Sequence, residues 1–390
     1  MKLLIKTVSI VAAIAVLIQI SFLKFNLGNA YYGILIAVFI LFLISGKELR
    51  FNYLMAWFVL AGFFSIVFNE IPSFFRPYER FIAFVAVMGL TGPLLNNTAL
   101  QPFRQILFKT INALLVAMVI LSFFGIAAGL PGMVGRGGFA GLFNHSMMLG
   151  PMAAIAMLVS INWAYNTQER KKYWLYLSMA VFAFLTSVSA GSRSALLAGI
   201  AGGLFYYYKI NQGKMTRFLK VIIVIISIGI FSFPLWESYT ERLMDKMAYA
   251  EQEGDVLVTR AKIWQTRLKE FNSSPLIGVG FASVDTSSGA KFDKTEGRVE
   301  PGSSWLAVLS MVGLFGFVPF ILIIAGYLKF VFKDKTNPTN SAFPGGLLFL
   351  FIVHMMAEGY VLSAGSGLFF YFWLVMGNIE IIRKQQHNNP

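Results

Sequence analysis

Arg193 is the residue whose type and position most clearly suggest chemistry. It lies in the small-residue stretch 190–195, between two long apolar segments. An arginine near a membrane boundary is costly unless it is paired or solvated, so it is a functional candidate by default. A guanidinium binds phosphate oxygens through two parallel hydrogen bonds, which would suit a diphosphate. The alternative is that Arg193 only anchors a helix at the interface.

A second basic group lies on one face of a predicted helix. Arg260, Trp264, Arg267 and Phe271 follow the spacing i, i+4, i+7 and i+11. The stretch 272–275 ends in proline and should stop this helix. The competing interpretation is an amphipathic helix on the membrane surface, whose arginines extend toward lipid headgroups.

Four other polar residues are candidates, each with a structural alternative. Arg136, in a glycine-rich connection, could reach an anionic substrate, or it could be a solvated loop residue. His145 could act as a general base, or it could mark a helix start. His354 and Glu358 are four residues apart on one predicted helix face, so they could hydrogen-bond to each other or contact substrate, or they could simply pack between helices.

The sequence lacks the patterns that bind metals and nucleotides. It contains no cysteine, no Asp-x-Asp pair, no His-Glu-x-x-His motif and no phosphate-binding Gly-x-x-x-x-Gly-Lys loop. We therefore expect no metal and no other cofactor. This argues against metal-dependent nucleotide-sugar transferases and ATP-driven pumps.

The elements that carry these residues are predicted to be membrane helices. The mean hydropathy is +0.68, with 57% hydrophobic and 13% charged residues, which does not describe a soluble chain of 390 residues. Apolar runs of about 20 residues, the length that crosses a bilayer, recur along the chain. The expected fold is all-α and polytopic, with about twelve transmembrane helices at 7–23, 30–46, 52–69, 80–95, 105–130, 146–166, 173–191, 193–210, 218–236, 303–332, 342–362 and 366–382.

One long polar loop interrupts this pattern at 237–302 and holds 11 of the 18 acidic residues. It divides the chain into helices over 1–236, the loop itself, and helices with a tail over 303–390. Most basic residues of the short connections fall on the side of the two termini, which predicts cytoplasmic termini and an extracytoplasmic loop. The net charge of +14 then reflects the basic residues that orient the helices in the membrane, and no nucleic-acid partner is expected.

Four stretches resemble the O-antigen ligase and repeat-unit polymerase superfamily of bacterial envelopes. They are Ser192–Ala195, Arg260 and Trp264 with Phe271 and the segment Pro275–Gly280, Glu300–Leu306 running into Gly313–Gly316, and more weakly Gly141–Ser146.

The resemblance implies a metal-independent glycosyltransferase of the bacterial inner membrane, with membrane lipids as neighbours. Its donor would be a glycan on undecaprenyl diphosphate, and its acceptor a glycan or a lipid A core. Arg193 and Arg260 would hold the diphosphate and stabilise the leaving group. Arg136, Trp264, Ser303 and Glu358 join them as expected substrate-binding residues.

This sequence departs from the family pattern at one point. Ligases of the family carry His-Asn where the loop meets the next helix, and the histidine is the proposed base; here the positions are Gly302 and Ser303. The departure favours a polymerase, or a ligase whose base is Glu300 or His145. A non-enzymatic glycan-lipid transporter is the competing class. A transporter predicts functional charges at the bilayer midplane and broken helices, whereas this chain concentrates its charges at the membrane boundaries and in one loop.

Overall fold

The computed structural model describes residues 2–21, 27–130, 133–135, 138–211, 214–240, 244–245, 248, 258–334 and 338–388. Over these residues the chain forms thirteen α-helices, two short 3₁₀ turns (Ser73–Phe75 and Glu237–Thr240) and two small antiparallel strand pairs. The all-α fold class is confirmed. The helices are α1 Lys2–Ile20, α2 Asn29–Ser45, α3 Tyr53–Val67, α4 Pro77–Thr91, α5 Leu100–Ala127, α6 Ser146–Asn166, α7 Arg170–Ser189, α8 Arg193–Ile210, α9 Met215–Trp236, α10 Val258–Ser273, α11 Ser304–Lys333, α12 Pro338–His354 and α13 Gly367–Asn388.

The strand pairs join short connections. β1 (Arg50–Phe51) pairs with β2 (Leu95–Asn96), and β3 (Val134–Gly135) pairs with β4 (Gly138–Phe139). Arg136 falls between β3 and β4 and lies outside the described residues.

The chain is a multi-pass membrane protein. Every predicted span coincides with a helix, but five helices of the described residues are long and apolar enough to cross a bilayer by themselves: Leu3–Ile20, Leu100–Ala127, Ser146–Asn166, Met215–Pro234 and Ser304–Lys333. Ala30–Ser45, Tyr53–Val67 and Ser341–His354 are apolar but shorter. The expected number of about twelve spans is therefore not shown, because several helices are shorter than a bilayer requires or carry charges at their ends.

The bundle is held together by close antiparallel helix pairs. A Cβ atom on Gly202 of α8 would lie 2.6 Å from the carbonyl oxygen of Gly346 in α12. Small residues allow backbones to approach this closely in membrane helices. Beside this contact Phe205 stacks on Phe349 with ring centroids 4.2 Å apart. The pair α8–α12 is thereby locked in one register.

Several connections meet at one end of the bundle, which we call the loop face. It comprises Ile20–Ser21, Asn69–Arg80, Asn144–His145, Ser274–Ser304 and Met355–Ser366. Asn144 N–H donates to Ile20 O over 3.0 Å, Asn69 Nδ2 donates to Gly278 O over 3.1 Å, and Arg80 Nη2 donates to Glu296 O over 2.8 Å. The segment between α10 and α11 is therefore docked on the helix ends.

Helix α11 is broken at Gly313, and the loop face fills the break. Gly313 has φ +60° and ψ −168°, outside the helical region. The residues on both sides bond to the segment 275–280: Leu314 N–H donates to Pro275 O over 2.9 Å, and Val279 N–H donates to Ser310 O over 2.8 Å. Backbone groups that the kink releases thus find partners in the loop.

Glycine is required on both sides of this contact. A Cβ on Gly313 would lie 2.3 Å from Leu276 O, and a Cβ on Gly278, which has φ +73°, would lie 2.3 Å from the carbonyl carbon of Met311. Glycine allows the close backbone approach and the positive φ that these positions require. This joint fixes α10, which immediately precedes it, against the bundle.

Candidate active site

An ion pair between Arg260 and Glu358 joins the start of α10 to the loop face. Nη2 of Arg260, on the first turn of α10, donates to Oε1 of Glu358, 98 residues later in the sequence. Their side chains are 22% and 20% exposed, so the pair is mostly buried but still open to solvent. Among the described residues, Nε and Nη1 of Arg260 have no hydrogen-bond partner in the protein. The guanidinium can therefore bind another anion.

Two serines hold the backbone that carries Glu358. Ser303 is the N-cap of α11, and its hydroxyl donates to Met355 O over 3.0 Å. The Ser304 hydroxyl donates to Glu358 O over 2.8 Å and accepts from Tyr360 N–H over 3.0 Å. Ser303 thus lies at the site, but its hydroxyl proton is already donated to the Met355 carbonyl and not to a substrate.

Burial controls the protonation of Glu358. Loss of solvent raises the pKa of the Glu358 carboxyl to about 7; Arg260 opposes this shift through its charge and hydrogen bond, and the negative charge of Glu300 adds to it. A carboxyl group with a pKa near 7 can accept a proton at neutral pH more readily than an ordinary one.

Several buried polar atoms on α8, α10 and α12 have no partner in the described part of the protein. They are Nε1 of Trp264, one turn beyond Arg260 on α10, Nη1 of Arg193, and both ring nitrogens of His354. His354 is fully buried, stacks on Tyr360 with centroids 5.6 Å apart, and lies within the electrostatic reach of Arg260. Buried polar groups are normally hydrogen-bonded, and their concentration here is typical of a site that binds a polar ligand.

The register of α8 and α12 places Arg193 at the same end. Because the helices are antiparallel and Gly202 faces Gly346, the first residue of α8 is level with His354 at the end of α12. No ion pair of Arg193 occurs among the described residues. Arg193 and Arg260 thus lie at the same end of the bundle, but they do not contact each other.

His145 is also at the loop face, where it has a structural task. It is the N-cap of α6, and its Nδ1 accepts from Met147 N–H over 3.0 Å. Nearby, a Cβ on Gly150 would lie 2.8 Å from Ser192 Cβ, so the start of α6 adjoins the start of α8. The helix-start interpretation of His145 therefore describes its position, and a role in catalysis stays a prediction.

Glu300 precedes α11 with an exposed side chain. Its backbone carbonyl accepts from Arg267 Nη2 over 3.1 Å, and its charge reaches Glu358. Among the described residues its carboxylate has no hydrogen-bond partner, so the side chain is less fixed than that of Glu358.

The burial of Arg267 argues against the amphipathic helix on the membrane surface that was the competing interpretation of the sequence. Arg267 is 1% exposed and donates from Nη1 to Glu270 Oε2 over 2.8 Å, with Glu270 fully buried. Glu270 Oε1 in turn accepts from Asp285 N–H over 3.1 Å and from the Ser288 hydroxyl over 3.2 Å. This buried network, which the sequence analysis did not identify, fastens α10 to the rest of the loop face. The i, i+3 spacing of Arg267 and Glu270 was the available signal.

Gly302 explains why a histidine does not fit at its position. It has φ +70°, and a Cβ there would lie 2.4 Å from Cγ2 of Ile263 in α10. Any side chain at this site would be strained and would press against the helix that carries Arg260.

The expected contact between His354 and Glu358 is not formed through side chains. The predicted helix 342–362 ends at His354, and Glu358 lies in the following loop, where its N–H donates to His354 O over 3.1 Å. The helix stops because Ser303 and Ser304 bond the carbonyls of Met355 and Glu358. Among the described residues, no three His, Asp or Glu side chains are grouped as metal ligands would be.

Comparison with known proteins supports the expected resemblance. No curated protein matches the chain. A protein-family model described as O-antigen ligase matches residues 178–321, from the middle of α7 to the middle of α11. The match includes Arg193, Arg260, Trp264, Glu300 and Ser303, whereas His145 and Glu358 lie outside it. Residues 178–321 are therefore an O-antigen ligase domain, from a family of membrane glycosyltransferases that comprises O-antigen ligases and polymerases.

Proposed function

We propose that this chain is a membrane glycosyltransferase that moves a glycan from undecaprenyl diphosphate to an acceptor sugar at the outer face of the bacterial inner membrane. The acceptor is either another repeat unit or a lipid A core, and repeat-unit polymerisation is slightly favoured. The observation that carries the proposal is the O-antigen ligase match over residues 178–321, which contains both arginines of the loop face.

The geometry is consistent with anion binding without a metal. Arg193 has a buried nitrogen without a protein partner, and Arg260 has two nitrogens without one among the described residues. A diphosphate could use these donors, which would stabilise the charge that develops on the leaving group. Trp264 adds an indole N–H and an apolar ring beside Arg260, which suits a sugar or an isoprenoid chain.

The absence of histidine at position 302 supports the preference for polymerisation. Gly302 cannot be exchanged for histidine without displacing Ile263 and α10, so the base of this enzyme belongs to another residue. Glu300 and His145 are the candidates that the sequence offers.

Transport of a lipid-linked glycan is the alternative. It is less well supported, because the charged residues discussed above gather at one end of the bundle. The break in α11 is filled by protein backbone at Gly313, and no described charge faces it.

Deletion of the gene in its native host tests the proposal. For a polymerase we expect surface lipid A-core that carries a single repeat unit and no longer ladder. For a ligase we expect glycan-free lipid A-core and full glycan on the carrier lipid. Accumulation of the lipid-linked glycan on the cytoplasmic leaflet would instead identify a transporter and contradict the proposal.

A further inference from the structure

We propose that Glu358 is the base that takes the proton from the acceptor hydroxyl, and that Arg260 restrains it until the donor diphosphate takes the guanidinium. This inference rests on the proposed function. It adds a residue outside the O-antigen ligase match and a coupling between donor binding and base release.

The first argument is the contact itself. Glu358 holds Nη2 of the arginine that lies inside the family match, so an anionic donor that binds Arg260 competes with this carboxylate for that nitrogen and for the positive charge. Exchange of one anion for another leaves the guanidinium neutralised throughout. It also releases Glu358 only when a donor is present.

The second argument is position. Ser303 and Ser304 fix the backbone from Met355 to Tyr360 with five hydrogen bonds of 2.8 to 3.0 Å that involve Met355 O, Glu358 O and Tyr360 N–H. The backbone of Glu358 therefore stays in place when the ion pair with Arg260 breaks. A base has to be held within hydrogen-bond reach of the proton that it removes.

The third argument compares the other candidates. Nδ1 of His145 already accepts the Met147 N–H, so protonation at that nitrogen would break the cap of α6. The Glu300 side chain is exposed and has no described hydrogen-bond partner. Glu358 is the carboxylate that is both mostly buried and directly attached to a proposed donor-binding residue.

The reaction that follows balances without any further reagent. The acceptor hydroxyl gives its proton to Glu358, and its oxygen forms a bond to the anomeric carbon of the donor glycan. The bond from that carbon to the diphosphate oxygen breaks, and its electron pair leaves with undecaprenyl diphosphate. Arg260 and Arg193 hold the resulting charge, and Glu358 returns its proton to solvent and pairs again with Arg260.

The affinity of the purified full-length protein for undecaprenyl diphosphate tests whether Glu358 competes with the donor for Arg260. For Glu358→Gln we expect about fivefold tighter binding, because the competing charge is gone. Glu296→Gln is the matched control, since Glu296 pairs with Arg298 in an exposed position on the loop face, and we expect no change in affinity. In the deletion strain, Glu358→Gln should fail to restore the surface glycan.

A pH series distinguishes competition by the charge from a merely structural effect. The groups that face Glu358 are Arg260, Glu300 and Tyr360, with His354 beside Arg260. As the pH falls through about 7, Glu358 becomes protonated and the affinity of the unmodified protein should approach that of Glu358→Gln. The ligand titrates equally with both proteins, so the ratio of their affinities reports Glu358 alone.

Thermal unfolding serves as the folding control. The pKa of Glu358 is higher in the folded than in the unfolded chain, so its stabilising contribution is present at low pH and is lost as the pH rises through about 7. Glu358→Gln should therefore unfold no earlier than the unmodified protein at pH 8.

Each alternative result has a definite meaning. Equal affinities at all pH values would overturn the restraint by Arg260, and restored glycan with Glu358→Gln would overturn the base. If the unmodified protein does not bind undecaprenyl diphosphate at all, the proposed function itself fails, and this inference fails with it.

Discussion

The guanidinium of Arg260 already holds the Glu358 carboxylate through Nη2, so a diphosphate that binds Arg260 meets a competing negative charge. Both side chains of the pair are about one-fifth exposed, so an anion from solvent can approach the Arg260 guanidinium at its exposed part. Arg193 differs, because no described acid neutralises it. The two arginines should therefore contribute differently to donor binding.

Arg193→Lys and Arg260→Lys test whether these residues grip a diphosphate. Both changes keep the charge but lose the planar set of donors, so we expect transfer to fall by about a hundredfold. The measurement is glycan synthesis by membranes of the complemented deletion strain. Lys262→Ala is the matched control on the same helix, because Lys262 is exposed and unpaired among the described residues. Equal loss with Arg260→Lys and Lys262→Ala would point to general damage to α10.

The pH dependence of transfer tests the titration of Glu358. With a pKa of about 7, the carboxyl is increasingly protonated below that pH and cannot accept a proton. We expect the transfer rate to fall about tenfold for each pH unit below 7. In Glu358→Gln the residual rate should lack this acidic limb. An unchanged limb in that variant would assign the titration to another group.

At the scale of elements, the joint between the broken helix α11 and the segment 275–280 decides where α10 lies. Four backbone hydrogen bonds of 2.8 to 3.1 Å cross this joint. The buried pair Arg267–Glu270 adds a second attachment. Arg260 and Trp264 are thus held on a helix that is anchored on both sides, which is what a preorganised site requires.

Gly313→Ala tests the joint. Alanine at φ +60° and ψ −168° is strained by about 1 to 3 kcal/mol, and its Cβ would also meet the Leu276 carbonyl oxygen at 2.3 Å. We expect a melting temperature that is lower by several degrees, together with lost transfer.

Gly326→Ala is the control within the same helix, because no atom lies within 4 Å of a Cβ at that position. It should leave the melting temperature unchanged or raise it slightly. If both variants behave alike, the break at Gly313 is not a determinant of stability.

At the scale of the whole molecule, the orientation in the membrane decides whether the loop face meets the donor outside the cell. The basic residues of the short connections predict that it does. Since the chain has no cysteine, a single introduced cysteine reports one position.

Ser287→Cys and Gln168→Cys test the orientation. Ser287 is exposed on the loop face, and Gln168 is exposed in the connection between α6 and α7 at the opposite end. In intact spheroplasts an impermeant thiol reagent should label the first and spare the second until lysis. The reverse pattern would turn the loop face toward the cytoplasm and contradict the proposed site of reaction.

Local chemistry determined the positions of the helices. Apolar runs and the proline at 275 predicted twelve helix positions and the end of α10, because these features act over a few residues along the chain. The same patterns singled out Arg193, Arg260, Trp264 and Glu358. They could not place α12's end, because the hydroxyl groups that stop it belong to Ser303 and Ser304, far away in sequence.

Only the tertiary structure decided which of these residues act together. Arg260 and Glu358 are 98 residues apart, and their contact depends on the docking of α10 against the break in α11. Burial then sets the protonation of Glu358, and burial is a property of the packed bundle that no stretch of sequence contains. Arg267 illustrates the same limit: helical spacing places it beside Glu270, but only the packed structure shows that the pair is buried.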